Sequence, residues 1–154
     1  MPKRRDRIAM TENEMWDFIE TRKSVQVATL NKDGSPHLTT LWFAVVDGKI
    51  VLETFTKSQK VVNLKRDPRI ALLFESGDVY DQLRGVSINA TAELVGDFDG
   101  VHALHMAVLR RNTPQIPEET LDKVSAGMAP KKTAILVKPE HVMSWDHTKL
   151  GGIY

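Results

Sequence analysis

A β-type run meets a helical run within the stretch Phe55-Thr56-Lys57-Ser58-Gln59-Lys60-Val61-Val62-Asn63-Leu64-Lys65-Arg66-Asp67-Pro68. The residues from Lys49 to Phe55 predict a strand, Ser58 is placed as the N-cap of a helix, and Pro68 marks the end of that helix. The first amides of a helix lack intrahelical partners and carry the positive end of the helix dipole. With Lys57 and Lys60 beside them, these amides suit a phosphate group. The alternative is an ordinary strand-to-helix turn whose lysines are solvated.

The residues before this stretch predict one helix and a pair of hairpins. Thr11-Glu12-Asn13-Glu14 matches a capping box and predicts a helix from about Glu12 to Arg22. Two strands follow, Val25 to Leu30 and His37 to Val46, and the turn-forming Asn31-Lys32-Asp33-Gly34 joins them. An Asp-Gly dipeptide then gives a two-residue hairpin signal that leads into the strand of the central stretch. Three consecutive antiparallel strands are therefore expected.

The residues after the stretch predict further strands with helices inserted between them. Ile70 to Phe74 is continuously apolar, which predicts a core strand covered on both faces. Val86 to Leu94 alternates between apolar and polar residues, which predicts a strand with one polar face. Helical spacing of apolar residues then predicts a helical insertion over about 98–130, within which Gly100 to Met128 is expected to shape a substrate pocket.

The last strands complete a predicted barrel. Thr133 to Val137 reads as a strand that Pro139 ends, and His141 to Trp145 reads as a last short strand. Six antiparallel strands with peripheral helices indicate a mainly β (α+β) barrel, formed by a single domain over residues 1–154. We expect residues 1–10, which include several basic side chains, to be a flexible tail.

Composition excludes several classes of function. The chain has 21 basic and 20 acidic residues and a net charge of +1, so nucleic acid is not an expected partner. No apolar run has membrane-spanning length and no signal peptide is evident, so we expect a cytoplasmic protein without a membrane partner. Cysteine is absent. His102 and His105 lie three residues apart without a third ligand, so no metal is expected and His105 is interpreted as a partly buried histidine.

The sequence from Ser144 to Tyr154 is unusual because aromatic and charged residues are crowded within it. Trp145 can pack on a flat ligand while Lys149 supplies a cation. The alternative is that Trp145 closes the barrel and Lys149 is exposed. The residues alone leave both interpretations open.

Two separated segments together resemble the pyridoxamine 5′-phosphate oxidase-like split-barrel superfamily. The first runs from Asp33 to Phe43, and its second strand corresponds to the strand that lies along the cofactor ring in that family. The next strand leads, as in the family, into a Ser-x-Lys segment that holds the phosphate, here Ser58-Gln59-Lys60. Val142-Met143-Ser144-Trp145 is similar to the closing strand of the family. The resemblance implies a six-stranded antiparallel split β-barrel, and a homodimer with the cofactor site at the subunit interface.

The chain ending resembles the branch of this superfamily that uses the deazaflavin coenzyme F420 rather than FMN. FMN-dependent oxidases of the family carry arginine at the positions of Gln59 and Thr39, and lysine at the position of Ala44. Without those three cations, tight binding of FMN is less expected. Lys65 and Arg66 are available for the anionic tail of F420.

The resemblance therefore implies an F420-dependent oxidoreductase that transfers a hydride to a small conjugated or aromatic acceptor. The alternatives are an FMN-dependent pyridoxamine phosphate oxidase-like enzyme, and a non-enzymatic protein that binds flavin, haem or tetrapyrrole. No catalytic side chain is assigned. The residues that the resemblance implies for cofactor binding are Thr39, Thr40, Leu41, Trp42, Phe43, Glu53, Thr54, Lys57, Ser58, Lys60, Asn63, Trp145 and Lys149.

Overall fold

Residues 3–152 are described in a computed structural model of the chain. Its strands are β1 (Ser24–Leu30), β2 (Pro36–Val46), β3 (Lys49–Phe55), β4 (Arg69–Ser76), β5 (Arg84–Val95) and β6 (Lys132–Asp146). Hydrogen bonding closes them into an antiparallel barrel in the order β1-β2-β3-β6-β5-β4. The predicted six-stranded antiparallel barrel with peripheral helices is confirmed.

The helices lie outside the barrel. They are α1 (Arg4–Ile8), α2 (Glu12–Glu20), α3 (Gln59–Arg66), α4 (Phe98–Asn112) and α5 (Glu118–Met128). The predicted capping box begins α2, because the Thr11 hydroxyl accepts from the Glu14 amide and the Glu14 carboxylate accepts from the Thr11 amide. The helical insertion is present as α4 and α5, between β5 and β6. None of the helices between residues 3 and 152 combines the length and the hydropathy required to cross a lipid bilayer.

The core fills the barrel interior, and α4 covers one outer face. The rings of Phe43 and Phe74 meet edge to face inside the barrel, with their centroids 4.9 Å apart. Helix α4 packs on β2, β3 and β6. Its Asn112 side chain donates to the carbonyl of Phe43 at 3.1 Å, which fixes the helix on the sheet. The helical layer thus covers the strands next to the β3–α3 junction.

Among residues 3–152, no helix packs on the outer face of β4, on the side of the barrel away from α4. Ile70, Leu72 and Phe74 are buried, whereas Ala71 and Leu73 point outward and are half-buried. Within one protomer the inner face of this strand is buried and its outer face is half-buried, so coverage of both faces stays a prediction. We call the outward side chains of β1, β4, β5 and the adjoining parts of β2 and β6 the open face. Leu38 is 68% exposed on it and Trp42 is 45% exposed.

Pro139 does not end a strand, which corrects the expectation of two separate strands. Strand β6 runs continuously through it, with Pro139 opposite Ala90 and His141 opposite Asn89. Glu140 is the extra residue of a β-bulge at this register shift. A bulge tolerates proline because it interrupts the regular ladder of amide hydrogen bonds.

Part of the expected basic tail forms the short helix α1. Helix α1 is capped by Asp6, whose carboxylate accepts from the Lys3 amide at 3.2 Å. The Arg4 guanidinium lies 5.9 Å from the centre of the Tyr80 ring. The Arg4–Tyr80 contact and the packing of α1 on β6 place the segment against the folded domain. Residues 1 and 2 of the expected tail lie outside the described residues.

The indole of Trp145 lies directly on the backbone of Gly85, its partner in the β5–β6 ladder. A Cβ atom at position 85 would be 2.2 Å from Cζ2 of Trp145, so Gly85→Ala must displace the indole. We expect a loss of about 1–3 kcal/mol in the free energy of unfolding. Thermal unfolding should show a melting temperature about 3–9 °C lower, with altered tryptophan fluorescence.

The matched control is Gly127→Ala in α5, where an added Cβ meets no atom within 4 Å. Alanine favours a helix over glycine, so this variant should melt at the wild-type temperature or above it. Equal melting temperatures for the two variants would contradict the packing of Trp145 on Gly85.

Candidate functional site

Strand β3 ends at a corner where its chain turns into α3, and we call residues 54–60 the corner. Ser58 is the N-cap as predicted, and its hydroxyl accepts from the Val61 amide at 3.4 Å. Thr54 donates to the same hydroxyl oxygen at 3.4 Å. Within residues 3–152, no hydrogen bond uses the amides of Gln59 and Lys60. The corner therefore presents two free amides at the positive end of a helix dipole.

Lys60 brings an uncompensated charge to the corner. Its side chain is buried, with only 9% of the residue exposed, and no acceptor or carboxylate of the described chain is paired with it. Burial lowers the pKa of Lys60, since desolvation disfavours the ammonium. Lys57, by contrast, is exposed. The Lys60 ammonium keeps some contact with solvent but is partly desolvated and has no carboxylate partner among residues 3–152, and a bound anion would supply that partner.

A gap between β2 and β3 begins beside the corner. β2 pairs with β1 from Pro36 to Trp42, but it pairs with β3 only from Phe43 to Val46. Over residues 36–42 the second edge of β2 has no partner from β3, so its backbone groups there are open to a ligand. The hydroxyl of Thr39 is also buried without a hydrogen-bond partner among residues 3–152. Unpaired backbone and an orphaned hydroxyl suit a flat ligand with polar edges.

Asn63 joins the corner helix to the tip of the β1–β2 hairpin. Its amide nitrogen donates to Thr29 Oγ1 and to Asn31 Oδ1, both at 3.0 Å. Its amide oxygen accepts from Gln59 at 2.8 Å and from Arg66 at 3.2 Å. The residue is completely buried and its polar atoms are used by the protein. Asn63 is thus placed to position the hairpin relative to the corner.

A cleft of about 460 Å³ opens on the other side of the corner. It is lined by Phe55, Thr56, Lys57, Pro130 and Lys131. Lys131 could not be predicted as a site residue from the sequence. It reaches the corner because Phe55 of β3 pairs with the neighbouring Lys132 of β6, and that pairing joins two segments distant in sequence. The cleft is therefore flanked by two exposed cations.

The two cations expected for a cofactor tail lie at the other end of α3. The helix has 8 residues, and such a helix is about 12 Å long. Arg66 is bonded to Asn63 and to the Leu30 carbonyl, which occupies its guanidinium. Lys65 is exposed beside it. Lys57 and Lys131, not Lys65 and Arg66, flank the cleft beside the N-terminus of the helix.

The remaining residues of the predicted site on β2 and β3 differ in how far their side chains are exposed to solvent. Thr40 and Trp42 are exposed on β2, while Leu41 packs against the core and the ring of Phe43 is inside it. Glu53 is turned beneath α4, where its Oε2 lies 2.5 Å from the Lys132 ammonium. Only the backbone of Leu41 and Phe43 is left to contact a ligand, and the Phe43 carbonyl already accepts from Asn112.

Trp145 and Lys149 lie far from the corner in the same protomer. Strand β6 begins with Lys132 opposite Phe55 at the corner, and Trp145 comes 13 residues later opposite Gly85. At the usual rise of a strand this is about 43 Å along the backbone. The Lys149 ammonium binds the Glu14 carboxylate at 2.7 Å and the Ala9 carbonyl at 2.8 Å. Within one protomer the corner thus lies beside the start of β6 and Trp145 lies near the end of the strand.

The two neighbouring histidines are engaged separately. His102 Nε2 lies 3.1 Å from the Asp122 carboxylate, whereas His105 is buried with its Nε2 4.0 Å from the Glu53 carboxylate. In the part of the chain that the structure describes, no three side chains of the His, Cys, Asp or Glu type come together as metal ligands.

Solved structures share this architecture. The conserved hypothetical protein Rv2991 from Mycobacterium tuberculosis is 42% identical, with a TM-score of 0.90 over 99% of this chain and 95% of its own. A structure described as an F420 reductase is 21% identical, with a TM-score of 0.63 over 92% of this chain and 98% of its own. HutZ, a haem storage protein from Vibrio cholerae, is 16% identical, with a TM-score of 0.66 over 86% of this chain and 94% of its own. The latter two likenesses establish a common fold alone.

The sequence itself assigns the family. Among curated proteins, none is significantly similar in sequence to this chain. The family model described as pyridoxamine 5′-phosphate oxidase matches residues 11–146, which include every strand of the barrel. The chain belongs to the pyridoxamine 5′-phosphate oxidase family.

Proposed function

We propose that the protein binds coenzyme F420 and transfers a hydride from its reduced form to a small conjugated or aromatic acceptor. The observation that carries the proposal is the partly desolvated Lys60 ammonium, unpaired within residues 3–152, at a helix N-terminus with free amides. A cation beside free amides at the positive end of a helix dipole favours an anion at the corner. The phosphate of the cofactor is that anion in this proposal.

The three parts of the cofactor fit three features that meet at the corner. The phosphate lies with the amides of Gln59 and Lys60 and the ammonium groups of Lys57 and Lys60. The ring lies in the gap, along the unpaired edge of Thr39 to Trp42 and beside Thr54. The anionic tail lies in the cleft, between Lys57 and Lys131. FMN ends at its phosphate, so the cleft favours a cofactor with a tail.

When bound, reduced F420 supplies the hydride, and the protein supplies position and surroundings. The β2 edge holds the ring through backbone groups, which leaves one ring face available for an acceptor. Trp42 supplies an apolar wall beside the gap. No side chain of the site is assigned as a proton donor.

We propose further that two copies of the chain form the site. Trp145 and Lys149 lie at the end of β6 remote from the corner, so they can reach a cofactor there only from a second copy. The open face offers exposed apolar side chains for that contact, including Leu38 and Trp42. Trp42 belongs to both the open face and the gap, which joins the proposed interface to the proposed site.

Two other functions remain as alternatives to be tested. The corner alone would hold the phosphate of FMN, which would make the chain an FMN-dependent oxidase. A carrier of flavin, haem or tetrapyrrole would use the same gap without turnover, since a fold does not fix a function. Small-molecule titration separates these possibilities.

Titration of the purified protein with F420, FMN, FAD and haemin tests the choice of cofactor. We expect F420 to bind most tightly of the four. Fluorescence measures the affinity for the flavin-type compounds, and absorption measures it for haemin. Lys131→Glu should weaken F420 about tenfold or more, because the anionic tail would meet a like charge. The same variant should change the affinity for FMN less, since FMN has no tail. Lys32→Glu, in the exposed hairpin turn, is the charge-matched control.

Turnover distinguishes an enzyme from a carrier. Protein with F420 bound should oxidise the reduced cofactor in the presence of at least one member of a panel of enones, quinones and biliverdin. Tighter binding of FMN than of F420 would favour the FMN enzyme, and binding of reduced F420 without turnover on the whole panel would favour the carrier.

Lys60→Met tests the anchor by its effects on stability and binding. Methionine keeps the apolar stem and removes a partly desolvated charge, so the melting temperature of the cofactor-free protein should stay the same or rise by up to about 3 °C, the shift that about 1 kcal/mol produces in a domain of this size. The same change should weaken F420 binding by at least tenfold. Lys32→Met should change neither quantity. Lower stability together with unchanged affinity would remove Lys60 from the proposed site.

Leu38→Asp tests the second copy without altering a proposed cofactor contact. A carboxylate on the open face should shift the protein from dimer to monomer in sedimentation or light-scattering measurements. F420 binding should be lost with the dimer, because Trp145 and Lys149 of the second copy are removed. The control is Val124→Asp on α5, where Val124 is 47% exposed on the helical side. A monomeric wild type, or a monomeric variant with full affinity, would contradict the shared site.

A further inference from the structure

A chain of four side chains leads from the cleft into the protein beneath α4. Phe55 lines the cleft, and the Lys132 ammonium lies 4.7 Å from the centre of its ring. The same ammonium is 2.5 Å from Oε2 of Glu53, and Oε1 of Glu53 is 4.0 Å from Nε2 of His105. Lys132 and Glu53 are nearly buried, and His105 is buried. Charges in this cluster are therefore poorly screened by solvent.

The groups that face His105 come from three elements. Glu53 belongs to β3, Lys132 to β6, and His102 is one turn away on α4 itself. His102 is in turn beside Asp122 of α5. The Nδ1 atom of His105 has no hydrogen-bond partner within residues 3–152. Nε2 is 4.0 Å from Glu53, beyond hydrogen-bond distance, so within residues 3–152 no hydrogen bond holds the imidazole in one tautomer.

Burial lowers the pKa of His105, and Lys132 and His102 lower it further, while Glu53 raises it. With His105 neutral, the Glu53 and Lys132 charges cancel. With His105 protonated, the cluster carries one net positive charge. An anion in the adjoining cleft stabilises the second state relative to the first.

We propose that an anion of the phosphate or carboxylate class in the cleft and a proton on His105 bind cooperatively, coupled through Lys132 and Glu53. This inference rests on the proposed anion binding at the corner and cleft. The anion attracts the Lys132 ammonium, which then neutralises the negative charge of the Glu53 carboxylate less completely. Glu53 then stabilises the imidazolium of His105 more strongly. Thermodynamic linkage requires the reverse effect as well, so the proton strengthens anion binding.

The sign of the pH dependence follows from the two states. Anion binding raises the pKa of His105 above its value in the free protein, so affinity increases as pH falls through the interval between the two values. Below that interval both forms are protonated and the affinity levels off. The total gain in affinity equals the shift in pKa expressed as a power of ten.

Sulfate is the probe, because it stays a dianion between pH 5 and 8 whereas phosphate titrates in that range. We expect calorimetry to give about five- to tenfold tighter sulfate binding at pH 5 than at pH 8, a typical coupling factor. His105→Asn should remove that dependence. His141→Asn is the control, because His141 is exposed on β6 and outside the cluster. Lys131→Glu should weaken sulfate binding in the cleft about tenfold or more, because the dianion would meet a like charge.

A second measurement uses the wild-type protein and does not depend on the variants folding. NMR titration of the His105 imidazole, with and without saturating sulfate, should give a higher pKa with sulfate. The rise in pKa should equal the base-ten logarithm of the fold-change in sulfate affinity between high and low pH. Sulfate binding with an unchanged His105 pKa, or the same pH dependence in His105→Asn as in wild type, would overturn the coupling and leave the proposed function intact. Absence of both sulfate and F420 binding at every pH would overturn both.

Discussion

The saturated amide of Asn63 fixes the arrangement on which the rest of the candidate site depends. It holds α3 to Thr29 and Asn31 at the tip of the β1–β2 hairpin, where β2 has no support from β3. A buried amide that lost these partners would leave several unsatisfied groups, so the geometry is strongly favoured over alternatives. The helix N-terminus, the open edge of β2 and the lysine-flanked cleft consequently keep one relative position.

Two lysines near this network differ in their partners: one is paired with a carboxylate of the protein and the other is not. Lys132 has a carboxylate partner in Glu53 and stabilises the packing of β3 against β6 and α4. Lys60 has no such partner among residues 3–152, although only 9% of the residue is exposed. Buried charges are normally paired, and an exception marks a candidate site for an external ion. In our proposal, the phosphate of the cofactor is the anionic partner of Lys60. Glu53 and His105 instead set the net charge of the cluster that they form with Lys132 beside the cleft.

Local signals in the sequence predicted much of the fold. The Thr11 capping box, the Ser58 N-cap and the Asp47-Gly48 turn depend on a few adjacent residues, and the turn has the positive φ angles, 51° and 73°, that such hairpins require. The bulge at Pro139 was missed because its cause is the register with β5. Lys131 was missed for a similar reason, since strand pairing alone brings it to the corner. The wide separation of Trp145 from the corner also follows from pairing over the length of β6.

The central claim is that the anionic end of the cofactor is held where β3 turns into α3. A crystal structure of the protein with F420 tests it most directly. The account predicts a phosphate group within hydrogen-bond distance of the Gln59 and Lys60 amides and the Lys60 ammonium, with the ring along residues 39–42 and the tail beside Lys131. F420 bound elsewhere, with the Lys60 ammonium still unpaired, would contradict it.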